Sequence, residues 1–126
     1  STNELKTNEI MFEVVILNKK DYPIRFGMNA LRIYCKQTNR SLNDLQKLGQ
    51  DMSLDDAVQL MFAGLRDGSR VAGKEFTLTI DDLTDILDED FEALQKCLNV
   101  FTEQFSAKFN SEGNAKREKK TPNKNK

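Results

Sequence analysis

The stretch Tyr22-Pro23-Ile24-Arg25-Phe26-Gly27-Met28-Asn29-Ala30-Leu31 constrains the fold more than any other part of this chain. It predicts a strand that runs directly into a helix. Pro23 has no backbone donor, so the strand belongs at a sheet edge. Tyr22, Ile24 and Phe26 alternate with Pro23 and Arg25, which gives the strand one apolar face. Gly27 lets the chain turn, and Met28, Leu31 and Cys35 then fall on one stripe of a helix. Nothing in this block suggests a reaction. It asks for a small scaffold in which a hairpin is folded onto helices.

The remaining elements follow from periodicity and cap chemistry. Residues Met11 to Leu17 read as a strand, with Val14, Val15 and Ile16 β-branched and Phe12, Val14 and Ile16 on one side. Asn18 to Asp21 is a short polar connector, so the two strands form an antiparallel hairpin. A lone hairpin is marginal in water and must pack on something. A first helix spans Met28 to Thr38. Ser41 caps a second, short helix with Asp44 as its box partner, and Gly49 ends it. Ser53 caps a third, with Asp55 and Asp56 in its first turn and Leu54, Ala57, Val58, Met61, Phe62 and Leu65 as its stripe. Asp67-Gly68-Ser69 reads as its stop. Thr79 caps a fourth helix with Asp82 as box partner and Leu83, Ile86 and Leu87 inward. Asp88-Glu89-Asp90 opens a fifth, whose stripe is Phe91, Leu94, Leu98, Phe101 and Phe105.

The predicted fold is therefore α+β and mainly α: an N-terminal antiparallel hairpin packed on a bundle of about five short helices. Its divisions are a flexible N-terminus over 1–10, one domain over 11–109 and a disordered basic tail over 110–126. A chain of 126 residues fits one such domain. The net charge of −1 conceals an asymmetry. The tail carries +4, which leaves −5 on residues 1–109. A body so acidic argues against a nucleic-acid surface, whose affinity comes mainly from phosphate neutralisation.

The chain has no histidine, which removes the commonest general base and metal ligand. Cys35 and Cys97 stand in unrelated contexts, outside any CxxC pair, and read as reduced, buried thiols of a cytoplasmic protein. No apolar run approaches the ~20 residues needed to span a bilayer. Between Glu75 and Glu92 the chain carries eight carboxylates without an intervening cation. Leu83, Ile86 and Leu87 interrupt them at helical spacing and no central glycine is present, so a calcium loop does not fit. Helix-start acids and a solvated face account for them, with an acidic docking surface for a basic partner as the functional alternative. Asp81 and Asp85 sit i, i+4 on an exposed face, poorly placed for acid–base work. The expectation is a non-enzyme with no catalytic residue, no cofactor and no metal.

Three blocks together resemble the tail assembly chaperones of long-tailed bacteriophages and prophages. They are Tyr22 to Leu31; Ser53-Leu-Asp-Asp with Leu60-Met-Phe-Ala-Gly-Leu-Arg-Asp-Gly68; and Gly73-Lys-Glu-Phe-Thr-Leu-Thr79 running through Asp88-Glu-Asp-Phe91 into the last helix. The resemblance extends from about Phe12 to Gln104, and order and spacing carry it. Lys19 stands where the pattern has a turn glycine, which leaves the turn type open. The resemblance implies a protein that binds the tape measure protein, keeps it soluble and helps recruit tail tube subunits. It places the protein in the bacterial host cytoplasm and outside the finished virion. It also implies a frameshifted longer form in many members, for which the Lys119-Lys120-Thr121 region is the candidate slip site. Nucleic acid and membrane are not expected partners; self-association is left open. Met28, Met61, Phe62, Phe101 and Phe105 are the candidate partner-binding residues, because Met repacks readily and the Phe stripe extends along a helix that a small body covers only in part. A small helical DNA-binding regulator is the alternative, since short helices joined by tight turns mimic a helix-turn-helix.

Overall fold

The computed structural model describes residues 12–46 and 52–120, with side chains through 107. The chain order is β1 (Glu13–Leu17), β2 (Lys20–Ile24), α1 (Met28–Thr38), α2 (Leu42–Leu45), α3 (Leu54–Ala72), α4 (Ile80–Glu89) and α5 (Phe91–Lys120). The hairpin on a mainly helical body agrees with the sequence reading. The expected N-terminal segment, Gly49 as a helix stop and residues 121–126 lie outside the described residues.

The hairpin is tighter than expected. Leu17 pairs directly with Lys20, so only Asn18 and Lys19 form the loop. Both have positive φ, 52° and 67°, which is a type I′ turn. That turn fixes which face is buried. Val15 lies opposite Tyr22 and Glu13 opposite Ile24, so Val15 and Leu17 share the inward face with Ile24. Val14 and Ile16, the set singled out by alternation, point to solvent. The same register explains Pro23. Leu17–Lys20 closes the ladder next to the turn, so Val14–Pro23 is a wide pair whose backbone donors point away from the partner strand. Proline there costs the ladder nothing.

The outer edge of β2 docks on α3. The Arg25 N–H donates to the Gly64 carbonyl at 3.0 Å. A Cβ on Gly68 would lie 2.5 Å from Pro23 and Ile24 backbone atoms, and one on Gly64 would meet the Phe26 ring at 2.5 Å. Gly64 and Gly68, one turn apart, thus form the trough that receives the strand. This corrects the expected stop at Asp67-Gly68-Ser69. The helix runs on to Ala72 and ends at Gly73, φ 73°, with the Lys74 N–H on the Ser69 carbonyl at 2.9 Å. Glycine at 68 answers a close approach rather than a helix end.

α3 is the centre of the body. Leu60, Met61 and Leu65 are fully enclosed, between the hairpin and α1 on one side and α4 and α5 on the other. α1 buries Ala30, Leu31 and Tyr34; of the expected stripe, Met28 is exposed and Cys35 half-buried. The caps at Ser41, Ser53 and Thr79 form as anticipated, the first and third as reciprocal boxes with Asp44 and Asp82. α4 keeps Asp88 and Glu89 as its last turn, and α5 begins at Phe91. The inward face of α5 is Ala93, Leu94, Cys97 and Phe101. Its backbone stays helical to Lys120, beyond the end of the apolar pattern at Phe109 and through much of the segment expected to be disordered. Glu112, Ala115, Lys116, Arg117, Glu118, Lys119 and Lys120 are mostly strong helix formers, so local propensity suffices for this extension.

Candidate functional site

The five residues expected to bind a partner fall into three environments. Met61 is fully enclosed and Phe101 nearly so, which removes both as contact surface. Met61 lies on the covered face of the central helix. Phe101 meets Phe26 edge-on, ring centroids 5.2 Å apart, directly under the strand-to-helix junction. Phe105 is half-buried and stacks on Phe101 at 5.3 Å. Phe62 is half-buried against Phe76. Met28 alone is open, 60% exposed, at the first position of α1. The structure does not gather these five into one surface.

A different set does gather. Leu54 at the start of α3 and Phe91 at the start of α5 are 65% and 56% exposed, although each belongs to an apolar stripe. With Val58, Leu87 and Leu94 they line an open groove of about 360 Å³, rimmed by Thr84, Asp85 and Asp88. On the opposite flank of α4, Ile16, Ile86, Glu89 and Asp90 line a second depression beside the hairpin turn. The corner where α4 meets α5 therefore presents apolar side chains set among carboxylates. Such a surface suits an amphipathic helix with apolar anchors and basic flanks. Leu54 and Phe91 were readable as apolar but not as exposed. Each opens its helix immediately after a cap or joint, where the neighbouring helices have not yet converged.

The second finding is a buried carboxylate that the sequence reading took for part of a helix stop. The Asp67 side chain is fully enclosed. Its Oδ2 accepts from Arg25 NH1 at 3.1 Å and from the Gly27 N–H at 3.3 Å, and its Oδ1 from Arg70 NH2 at 2.8 Å. Gly27 is the N-cap of α1, and the N3 residue, Ala30, has no side chain to reach back to the Gly27 N–H, so Asp67 supplies that acceptor from α3. Next to it the Phe26 N–H donates to Gln104 Oε1 at 2.9 Å. The junction is thereby tied to α3 and to α5 at once. A similar tie joins Arg40, after α1, to Asp56 in the first turn of α3, through Nε at 2.9 Å and through a second guanidinium nitrogen.

The Arg25–Asp67 and Arg40–Asp56 pairs tie separate elements of the fold together. Among the described residues, no three His, Cys, Asp or Glu side chains come together as a metal would require. Burial pushes the Cys97 thiol far up, and burial, then Asp44, raises Cys35 more modestly, so neither is an activated thiolate. Tyr34 is raised to about 12, first by burial and then by the nearby Asp56 carboxylate. Its hydroxyl is buried without a hydrogen-bond partner among the described residues. No described helix is long and apolar enough to cross a membrane. Comparison with protein-family models, with curated proteins and with solved structures gives no match.

Proposed function

We propose that this protein is a tail assembly chaperone of a long-tailed phage or prophage. It holds an amphipathic helix of the tape measure protein in the Leu54–Phe91 groove and helps to bring tail tube subunits to it. The observation that carries this reading is the groove itself: two large apolar side chains held open by a rigid scaffold, with Asp85 and Asp88 on the rim. A long helical client exposes apolar faces before assembly. A chaperone for it needs an apolar trough to cover them and a charged exterior to stay dispersed. Carboxylates on the rim select clients with lysine or arginine beside the apolar stripe and leave acidic helices unbound.

The anchoring of the scaffold also supports this role. The groove is built from the ends of α3, α4 and α5, and α3 is locked to the hairpin and α1 through Gly64, Gly68 and Asp67. A pre-formed trough binds a helix without the cost of ordering its own walls. The DNA-binding alternative draws less support, since the exposed face of α4 is acidic. The test is co-expression of this chain with the tape measure protein encoded beside it: the client is soluble with the chaperone and aggregates without it.

A further inference from the structure

A second groove lies away from the first, between α1 and the C-terminal half of α3. It is about 420 Å³ and is lined by Asn29, Arg32, Ile33, Arg66, Asp67, Arg70, Lys74 and Phe76. Four of these are cations with exposed side chains, on a body whose net charge is −5. The single acid is fully enclosed and already satisfied by Arg25, Arg70 and the Gly27 amide. Arg66 and Lys74 make no ion pair among the described residues. Arg66 and Arg70 are one turn apart, about 6 Å along the axis, and Lys74, just past the helix end, lines the same groove.

The same chain carries the complement. Asp81, Asp85 and Asp88 on α4 lie within one helical face at steps of four and three residues, and all three are exposed. They too make no ion pair among the described residues. The Asp81–Asp85 step, about 6 Å along the axis, equals the Arg66–Arg70 step. We infer that the cationic groove of one copy receives the α4 acid row of a second copy, with Ile33 and Phe76 forming the apolar floor of the contact. Groove and row are different surfaces, so the contact is head-to-tail, and a pair of copies keeps one free groove and one free row, one at each end. Exposed pairs are individually weak, so the association is modest and strongly salt-dependent. An acidic row on another protein satisfies the groove equally, but the matching row on this chain is present at the same concentration as the groove. The acid row also forms one rim of the Leu54–Phe91 groove, so a client seated there competes with the contact. Self-association of the chain alone requires no client in that groove.

The test is sedimentation velocity on the full chain at about 20 mM and about 500 mM salt, where charge screening differs severalfold. At low salt and high protein concentration the mass average rises to at least about twice the 14.4 kDa monomer, and at high salt it returns to the monomer. Arg66→Glu with Lys74→Glu abolishes the rise, and so does Asp81→Lys with Asp85→Lys. Mixing the two double variants restores it, because the reversed groove of one then faces the reversed row of the other. Circular dichroism of each variant confirms that it is folded. A wild-type chain that stays monomeric at low salt overturns the proposal, as does association that neither reversal alters or that mixing fails to restore. A groove that instead retards a short DNA duplex, in a manner lost with Arg66→Glu and Lys74→Glu and without self-association, assigns it to phosphodiester and equally overturns the proposal.

Discussion

Single residues hold this fold together where three elements converge. Gly68 admits β2 because it has no Cβ; adding one places a carbon 2.5 Å from backbone atoms of Pro23 and Ile24, which cannot rotate away. Gly68→Ala therefore forces the hairpin off α3. It should lower stability by about 2–3 kcal/mol in urea denaturation, with the slope unchanged. Tyr34 sets a different limit. Its native pKa of about 12 exceeds the unfolded value, so the folded chain retains a proton that the unfolded chain releases. This contribution is complete below pH ~10 and is lost as pH rises from there through about 12. The urea midpoint should fall between pH 9 and pH 11, and Tyr34→Phe should make that fall shallower. Cys97, raised in the same sense by burial, sustains a remaining decline. None of these roles was legible from sequence. Asp67-Gly68-Ser69 reads as a helix stop because local chemistry favours one, whereas Gly68 answers β2 and Asp67 answers the junction that follows it, both distant in sequence.

At the scale of elements, what was legible was local. Ser41, Ser53 and Thr79 start their helices where cap chemistry says they should, because a cap is satisfied by the next three residues. The span of α1 follows from Gly27 and the first turn. The buried face of β1 did not follow, because alternation reports two faces and only the turn length decides between them. A two-residue loop places Val15 and Leu17 inward, and Val14 and Ile16 outward. That turn carries a cost, since Lys19 holds φ at 67° with a side chain attached. Lys19→Gly should raise stability by about 0.5–1 kcal/mol, measured as a shift of the thermal midpoint without change in the folded spectrum. α5 shows the converse. Its apolar stripe was read as Phe91, Leu94, Leu98, Phe101 and Phe105, but the enclosed set is Ala93, Leu94, Cys97 and Phe101, with Leu98 and Phe105 half-buried and Phe91 open.

For the whole molecule, the hairpin and helices form a rigid frame around α3, and the exposed chemistry is divided between an apolar groove with acidic rims and a cationic groove elsewhere. Composition anticipated an acidic body, but not that the cations of α1 and α3 are gathered in one place. The partner residues read from the sequence were chosen for softness and aromaticity, and Met61 and Phe101 proved to be core; Leu54 and Phe91, which look like core, are open. Burial of a side chain depends on how helix ends converge, which no single helix reveals. The account rests on the groove at Leu54 and Phe91 being the client surface, and co-expression with the tape measure protein tests this most directly. Leu54→Asp with Phe91→Asp changes only exposed positions and should leave the helical spectrum intact, while the soluble fraction of the client falls by about tenfold, as expected for loss of central apolar anchors. A folded double variant that keeps the client as soluble as the wild-type chain does would contradict the account.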